Sequence, residues 1–199
     1  MFSVCLLLLQ ATGCSKDADI YSKCRKSDID GLSKLLAEYP DLLDCQKDSQ
    51  KWTPLHWSIY SSQKEATKYL VSKGANVNLC TAGGETPMHF AAFKRDVETV
   101  QLLFEAGADV NVKANTPGKE TPLDMAILAG ENLALDRSRP PESIKNYDPK
   151  TPEKLRGEEE RLRKLFELLK AHGAKRAADI ASEQPLEQGK GGRDWTLDK

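Results

Sequence analysis

Apolar residues along the middle of the chain recur at three- and four-residue intervals, and the runs are broken at regular distances by Thr-Pro and Gly-Ala pairs. Ala66, Tyr69 and Leu70 form one such stripe; Val97, Val100, Leu102 and Leu103 form another. This is the spacing of one face of a helix. Thr53-Pro54 and Thr86-Pro87 stand before further apolar runs. Threonine there can cap a helix N-terminus, and proline suits the first helical position, where no amide hydrogen is needed. Gly74, Gly107 and Gly173 follow the second stripe of each unit, where a left-handed residue closes a helix. Each unit therefore reads as helix, tight turn, helix and projecting hairpin. One helix pair cannot bury its own apolar face, so neighbouring units must stack.

The end units depart from this pattern. The first places helices near Ala18–Ser27 and Ile29–Glu38, with Ile29, Leu32, Leu35 and Leu36 as its stripe, and Tyr39-Pro40-Asp41 stops the second helix. In the last, a first helix is expected from about Pro122 to Ala129 and a second from about Pro152 to Ala171, restarted at Thr151-Pro152. Leu155, Leu162, Leu165, Phe166 and Leu169 line one face of that second helix. The connection contains Ser138-Arg139-Pro140-Pro141 and Asn146-Tyr147-Asp148-Pro149, far more than a tight turn requires, and is a candidate surface in its own right. Residues 176–199 end in Gln188-Gly189-Lys190-Gly191-Gly192 and are expected to form a mobile tail.

Two motifs repeat in register. Thr53-Pro54-Leu55-His56, Thr86-Pro87-Met88-His89 and Thr121-Pro122-Leu123-Asp124 are spaced by 33 and 35 residues. Gly74-Ala75-Asn76-Val77-Asn78, Gly107-Ala108-Asp109-Val110-Asn111 and His172-Gly173-Ala174-Lys175 follow them. This closely resembles the ankyrin repeat. The resemblance implies an all-α solenoid of about four helix-turn-helix units with short hairpins, spanning 14–175. The units fall near 18–47, 48–80, 81–113 and 114–175, the last with an insertion near 132–151. It also implies that His56 and His89 hydrogen-bond backbone between units, and that partners meet the hairpin tips and the concave face of the first helices. The family's exposed positions fall on Ser49, Gln50, Trp52, Tyr60 and Ser61, then on Ala82, Gly83, Glu85, Phe93 and Lys94. Trp52, Tyr60 and Phe93 would make an aromatic strip flanked by Glu85 and Lys94, and aromatics dominate interface hot spots. Trp57 and Phe90, which precede the small residues Ser58 and Ala91, are expected between units in the core.

Residues 1–13, MFSVCLLLLQATG, carry no charge. The block from Phe2 to Leu9 is too short to span a bilayer, which takes roughly 20 residues, but matches the apolar region of a signal peptide. Followed by Cys14-Ser15-Lys16-Asp17, it resembles a bacterial lipoprotein signal. That resemblance implies a lipid on Cys14 and an outer-membrane location. Another cleaved signal, or a segment packed on the first unit, are the alternatives. Without residues 1–13, Cys24, Cys45 and Cys80 remain besides Cys14, and free buried cysteine is the expected state.

Composition narrows the function. With 29 Lys+Arg against 30 Asp+Glu and a net charge of -1, the chain lacks the electrostatic footprint of a nucleic-acid binder. The five cysteines include no CxxC pair, so neither a zinc ribbon nor a disulfide scaffold is expected. No phosphate loop, HExxH helix or GxSxG elbow is present. Cys80 reads as small and apolar, Asp28/Asp30 and Glu158–Glu160 as solvated faces, and His172 as a favourable charge at a helix C-terminus. No catalytic or metal site, cofactor or small-molecule substrate is expected. What remains is recognition of a protein. It could be an envelope module that captures another envelope protein, an antitoxin- or immunity-type inhibitor of an effector enzyme, or a cytosolic adaptor whose first residues are structural.

Overall fold

The computed structural model describes residues 19–46, 49–115, 120–138 and 151–183. Helix α1 covers 19–26, and α2 runs Ile29–Glu38, followed by a 3-10 turn at Pro40–Asp44. Then come α3 (Pro54–Tyr60), α4 (Lys64–Ser72), α5 (Pro87–Phe93), α6 (Val97–Glu105), α7 (Pro122–Ser138), α8 (Thr151–Ala171) and α9 (Ala177–Glu183). Among the described residues there is no strand. The first helices α3, α5 and α7 pack side by side in one layer, and α2, α4, α6 and α8 in a second. One apolar cluster runs through both layers from Ile20 to Ala174. Leu32, Leu55, Leu70, Met88, Leu103, Leu165 and Leu169 are wholly buried in it.

The recurring Thr-Pro-x-His motif builds a cap and a bridge together. His56 N–H donates to Thr53 Oγ1 at 3.3 Å, and Thr53 N–H donates back to His56 Nδ1 at 3.2 Å. Two of the orphan amides at the helix start are thereby satisfied, with histidine in the place that glutamate or glutamine usually takes. Because Nδ1 accepts, the ring proton lies on Nε2, which faces the Glu85 carbonyl of the next unit at 3.2 Å. His89 repeats this with Thr86 (3.0 Å) and the Glu120 carbonyl (3.1 Å). Burial holds the His89 pKa below its usual value, against the opposing pull of backbone acceptors at Glu120 and Val112.

A second ladder ties the far ends of the units. Asn78 accepts from Asp109 N–H (2.8 Å) and donates to the Gly107 carbonyl (3.1 Å). Asn111 does the same to Lys175 (2.8 Å) and Gly173 (3.2 Å). At the tips between units, Asn115 N–H reaches the Gly83 carbonyl at 2.7 Å. Gly84 sits there with φ +77, and a Cβ on it would lie 2.6 Å from the Asn115 amide nitrogen.

The projecting tips close on themselves, Thr81 N–H donating to the Glu85 carbonyl at 2.9 Å, and touch their neighbours through bonds such as Ala82 N–H to the Gln50 carbonyl at 2.8 Å. Two expectations change. Helix α7 continues past Ala129 to Ser138. The stretch Glu131-Asn132-Leu133-Ala134-Leu135 is rich in helix formers, and the next proline is Pro140. The expected tail from 176 opens instead with helix α9. Asp124 occupies the motif position that His56 and His89 hold earlier, and it accepts from Ala177 N–H (2.8 Å), the first residue of that helix. Cys14 with residues 1–13, most of the insertion, and residues from 184 onward lie outside the described residues.

Candidate interaction surface

Tyr60, Phe93 and Leu128 are the large apolar side chains left exposed among the described residues, at 48%, 42% and 39%. Each stands seven positions after the threonine of its own motif, Thr53, Thr86 and Thr121. Since α3, α5 and α7 lie side by side, the three form a row across the first-helix layer. Tyr60 and Phe93 were expected here. Leu128 was not, although the same offset from Thr121 points to it.

Trp52 organises the first part of the row. Its ring centroid is 4.7 Å from Trp57, 5.0 Å from Tyr60 and 4.9 Å from Phe90, the last two edge-on. Tyr21 extends the cluster to the first unit, 6.2 Å from Trp57. Trp57 and Phe90 are thus not sealed between units as expected. Both are half-buried, packed against the core from its edge, and join the aromatic cluster through Trp52. Phe93 stands one unit further along and makes no ring contact among the described residues.

The polar flanks are asymmetric. Lys94 Nζ lies over the Tyr60 ring at 4.9 Å, so it covers an aromatic face rather than standing apart from it. On the other side, Glu85 and Glu120 occupy one register position, directly before Thr86 and Thr121. Burial raises the Glu85 pKa above the usual value, the Thr81 hydroxyl opposes the rise, and Glu120 reinforces it. The Trp57 indole nitrogen is buried without a hydrogen-bond partner.

Candidate nucleophiles are placed unfavourably for chemistry. Burial pushes the Cys24 thiol up to about 12, with Cys45 nearby adding to the rise; both cysteines are buried, and Cys45 Sγ donates to the Tyr21 hydroxyl at 3.5 Å. Cys80 is half-buried and contacts the Asn78 carbonyl at 3.7 Å. His172 accepts no such role: it stacks on Phe104 at 3.9 Å and faces the Leu168 carbonyl at 2.9 Å. Among the described residues no group of three or more His, Cys, Asp or Glu gathers around a common point. No described helix is long and apolar enough to cross a membrane.

Residues 20–114 match the family model for ankyrin repeats in three copies. Together with the two-layer stack, this makes the molecule an all-α ankyrin-repeat solenoid. It is 40% identical over 70 residues to the palmitoyltransferase akr1 of Neurospora crassa, a stretch covering 34% of this chain and 9% of that protein. It is 38% identical over 60 residues to the probable 26S proteasome regulatory subunit p28 of Saccharomyces cerevisiae, covering 30% of this chain and 26% of the other. The chain thus matches only a minor part of either relative's length.

Proposed function

We propose that the protein is a non-catalytic binding module that captures another protein on its first-helix face, tethered by a lipid on Cys14 to the bacterial envelope. The exposed row Tyr60, Phe93 and Leu128 carries the binding reading. Exposed large apolar side chains cost solubility, and their alignment at one register position in three units makes a continuous strip rather than scattered singles. Trp52 and Lys94 hold the Tyr60 ring in place before any partner arrives, which reduces the entropy lost on binding. The likeness to a proteasome subunit, a member of a multi-protein assembly, supports a protein partner. The tether rests on the uncharged residues 1–13 followed by Cys14.

Expression in a bacterium, with acyl labelling and intact mass, tests the tether. A mature chain beginning at Cys14 with added acyl mass, absent from Cys14→Ser, is the expected result; an unmodified soluble chain retaining residues 1–13 overturns it. Capture experiments test the face. Tyr60→Ala with Phe93→Ala should lose the partner that the native chain retains, with helicity unchanged. Undiminished capture by the double variant would reject this face.

A further inference from the structure

We infer that the partner element seated on this face is an amphipathic α-helix lying across the units, with apolar residues every seven positions, basic residues along one flank and an acidic residue on the other. The inference rests on the binding face proposed above and names what that face takes.

Pitch comes first. Tyr60, Phe93 and Leu128 each project from the same register position of α3, α5 and α7, which pack directly against one another. Packed helices stand about 8–10 Å apart, so the row repeats at about that distance. A partner helix rises about 1.5 Å per residue, and residues i, i+7 and i+14 share one face at steps of about 10.5 Å. Three anchors in a helix can therefore meet three units. An extended segment fits poorly: its same-face residues fall about 6.6–6.8 Å apart, so one that meets Tyr60 drifts out of step before Leu128.

Charge fixes the flanks. Glu85 and Glu120 lie on the side of the row nearest the turns between units, directly before the capping Thr86 and Thr121, and the Glu120 charge adds to the burial that disfavours ionised Glu85. A lysine or arginine from the partner placed between them would relieve that repulsion. On the other side, Lys94 is exposed above the Tyr60 ring. A partner carboxylate can reach its ammonium group without displacing it from the ring. Apolar row, acidic edge and basic edge together define one helix orientation.

The test is a selection against the immobilised full chain from a displayed library of random peptides about 20 residues long, enough for five helical turns. Each selected peptide is then remeasured on Phe93→Ala, on Leu128→Ala and on Glu85→Gln with Glu120→Gln. The inference expects apolar positions at i, i+7 and i+14, and an affinity loss of about tenfold or more on Phe93→Ala or Leu128→Ala. It also expects the preference for Lys or Arg to disappear on the double glutamine variant. Alternating apolar positions, or a basic preference that survives loss of both carboxylates, would overturn the helix while leaving the face intact. Peptides that bind equally well to Phe93→Ala and Leu128→Ala would instead remove the face itself.

Discussion

The Nε2 of His56 lies 3.2 Å from the carbonyl oxygen of Glu85, so one imidazole caps a helix in its own unit and holds the loop of the next. The arrangement requires a neutral ring: Nδ1 must accept from Thr53 N–H while Nε2–H donates. A proton on Nδ1 would set donor against donor. The same holds for His89, Thr86 and the Glu120 carbonyl.

A pH dependence of stability results. Burial lowers the His89 pKa in the folded state, whereas the unfolded chain keeps a value near about 6.5. Below that pH the unfolded chain binds the proton that the folded chain refuses, so stability falls as pH drops through about 6.5. Urea unfolding at pH 7.5 and 5.5 should show the loss, and His89→Gln should reduce it. An identical slope in His89→Gln would assign the effect elsewhere.

Core truncation tests the stacking register. Leu70 and Leu103 are both fully buried, at equivalent positions of α4 and α6. Each Leu→Ala change removes buried methyl groups and leaves a cavity, at a cost of about 2–5 kcal/mol. Thermal unfolding of the two variants should show similar large losses. Little or no loss in either would mean that the second-helix layer is not packed as described.

Asp124 makes a separable prediction about the end of the stack. Its carboxylate accepts from Thr121 N–H at 3.0 Å and Ala177 N–H at 2.8 Å, with Arg176 Nε 3.1 Å away. Burial works to raise its pKa, but these bonds outweigh it and hold the carboxyl below the usual range. Its contribution is therefore present above about pH 4 and lost as pH falls through the lowered folded value. Asp124→Ala should cost about 1–3 kcal/mol, since two backbone amides lose an acceptor. Hydrogen exchange should quicken at Ala177–Ile180 while α5 and α6 stay protected. Unchanged exchange at α9 would contradict this docking.

Much of this architecture was legible because ankyrin units are specified locally. Thr53, Pro54 and His56 lie within four residues and set a helix start whatever surrounds them. The stripe through Leu70 and Leu103 has helical period, and the 33-residue recurrence puts each unit in register with the next. The last unit was harder. Asp124 departs from the histidine of its predecessors, and its partner Ala177 is 53 residues away, so no local pattern announced α9. The candidate surface was half legible for a related reason. The resemblance to ankyrin repeats pointed to Tyr60 and Phe93 as exposed, as they are, but how Trp52 tilts onto Trp57 and Phe90 depends on rings from two units and on Lys94 capping Tyr60. Such packing has no period along the chain.

The most direct test of the binding face is photo-crosslinking in the native cell, with the reactive amino acid placed in turn at positions 93, 128 and 68. Phe93 and Leu128 lie in the exposed row, while Lys68 is exposed on α4 in the opposite layer. A discrete crosslinked protein from positions 93 and 128, with none from 68, is the predicted result. A partner crosslinked from 68 and not from 93 or 128 would place recognition on the second-helix layer and contradict the account.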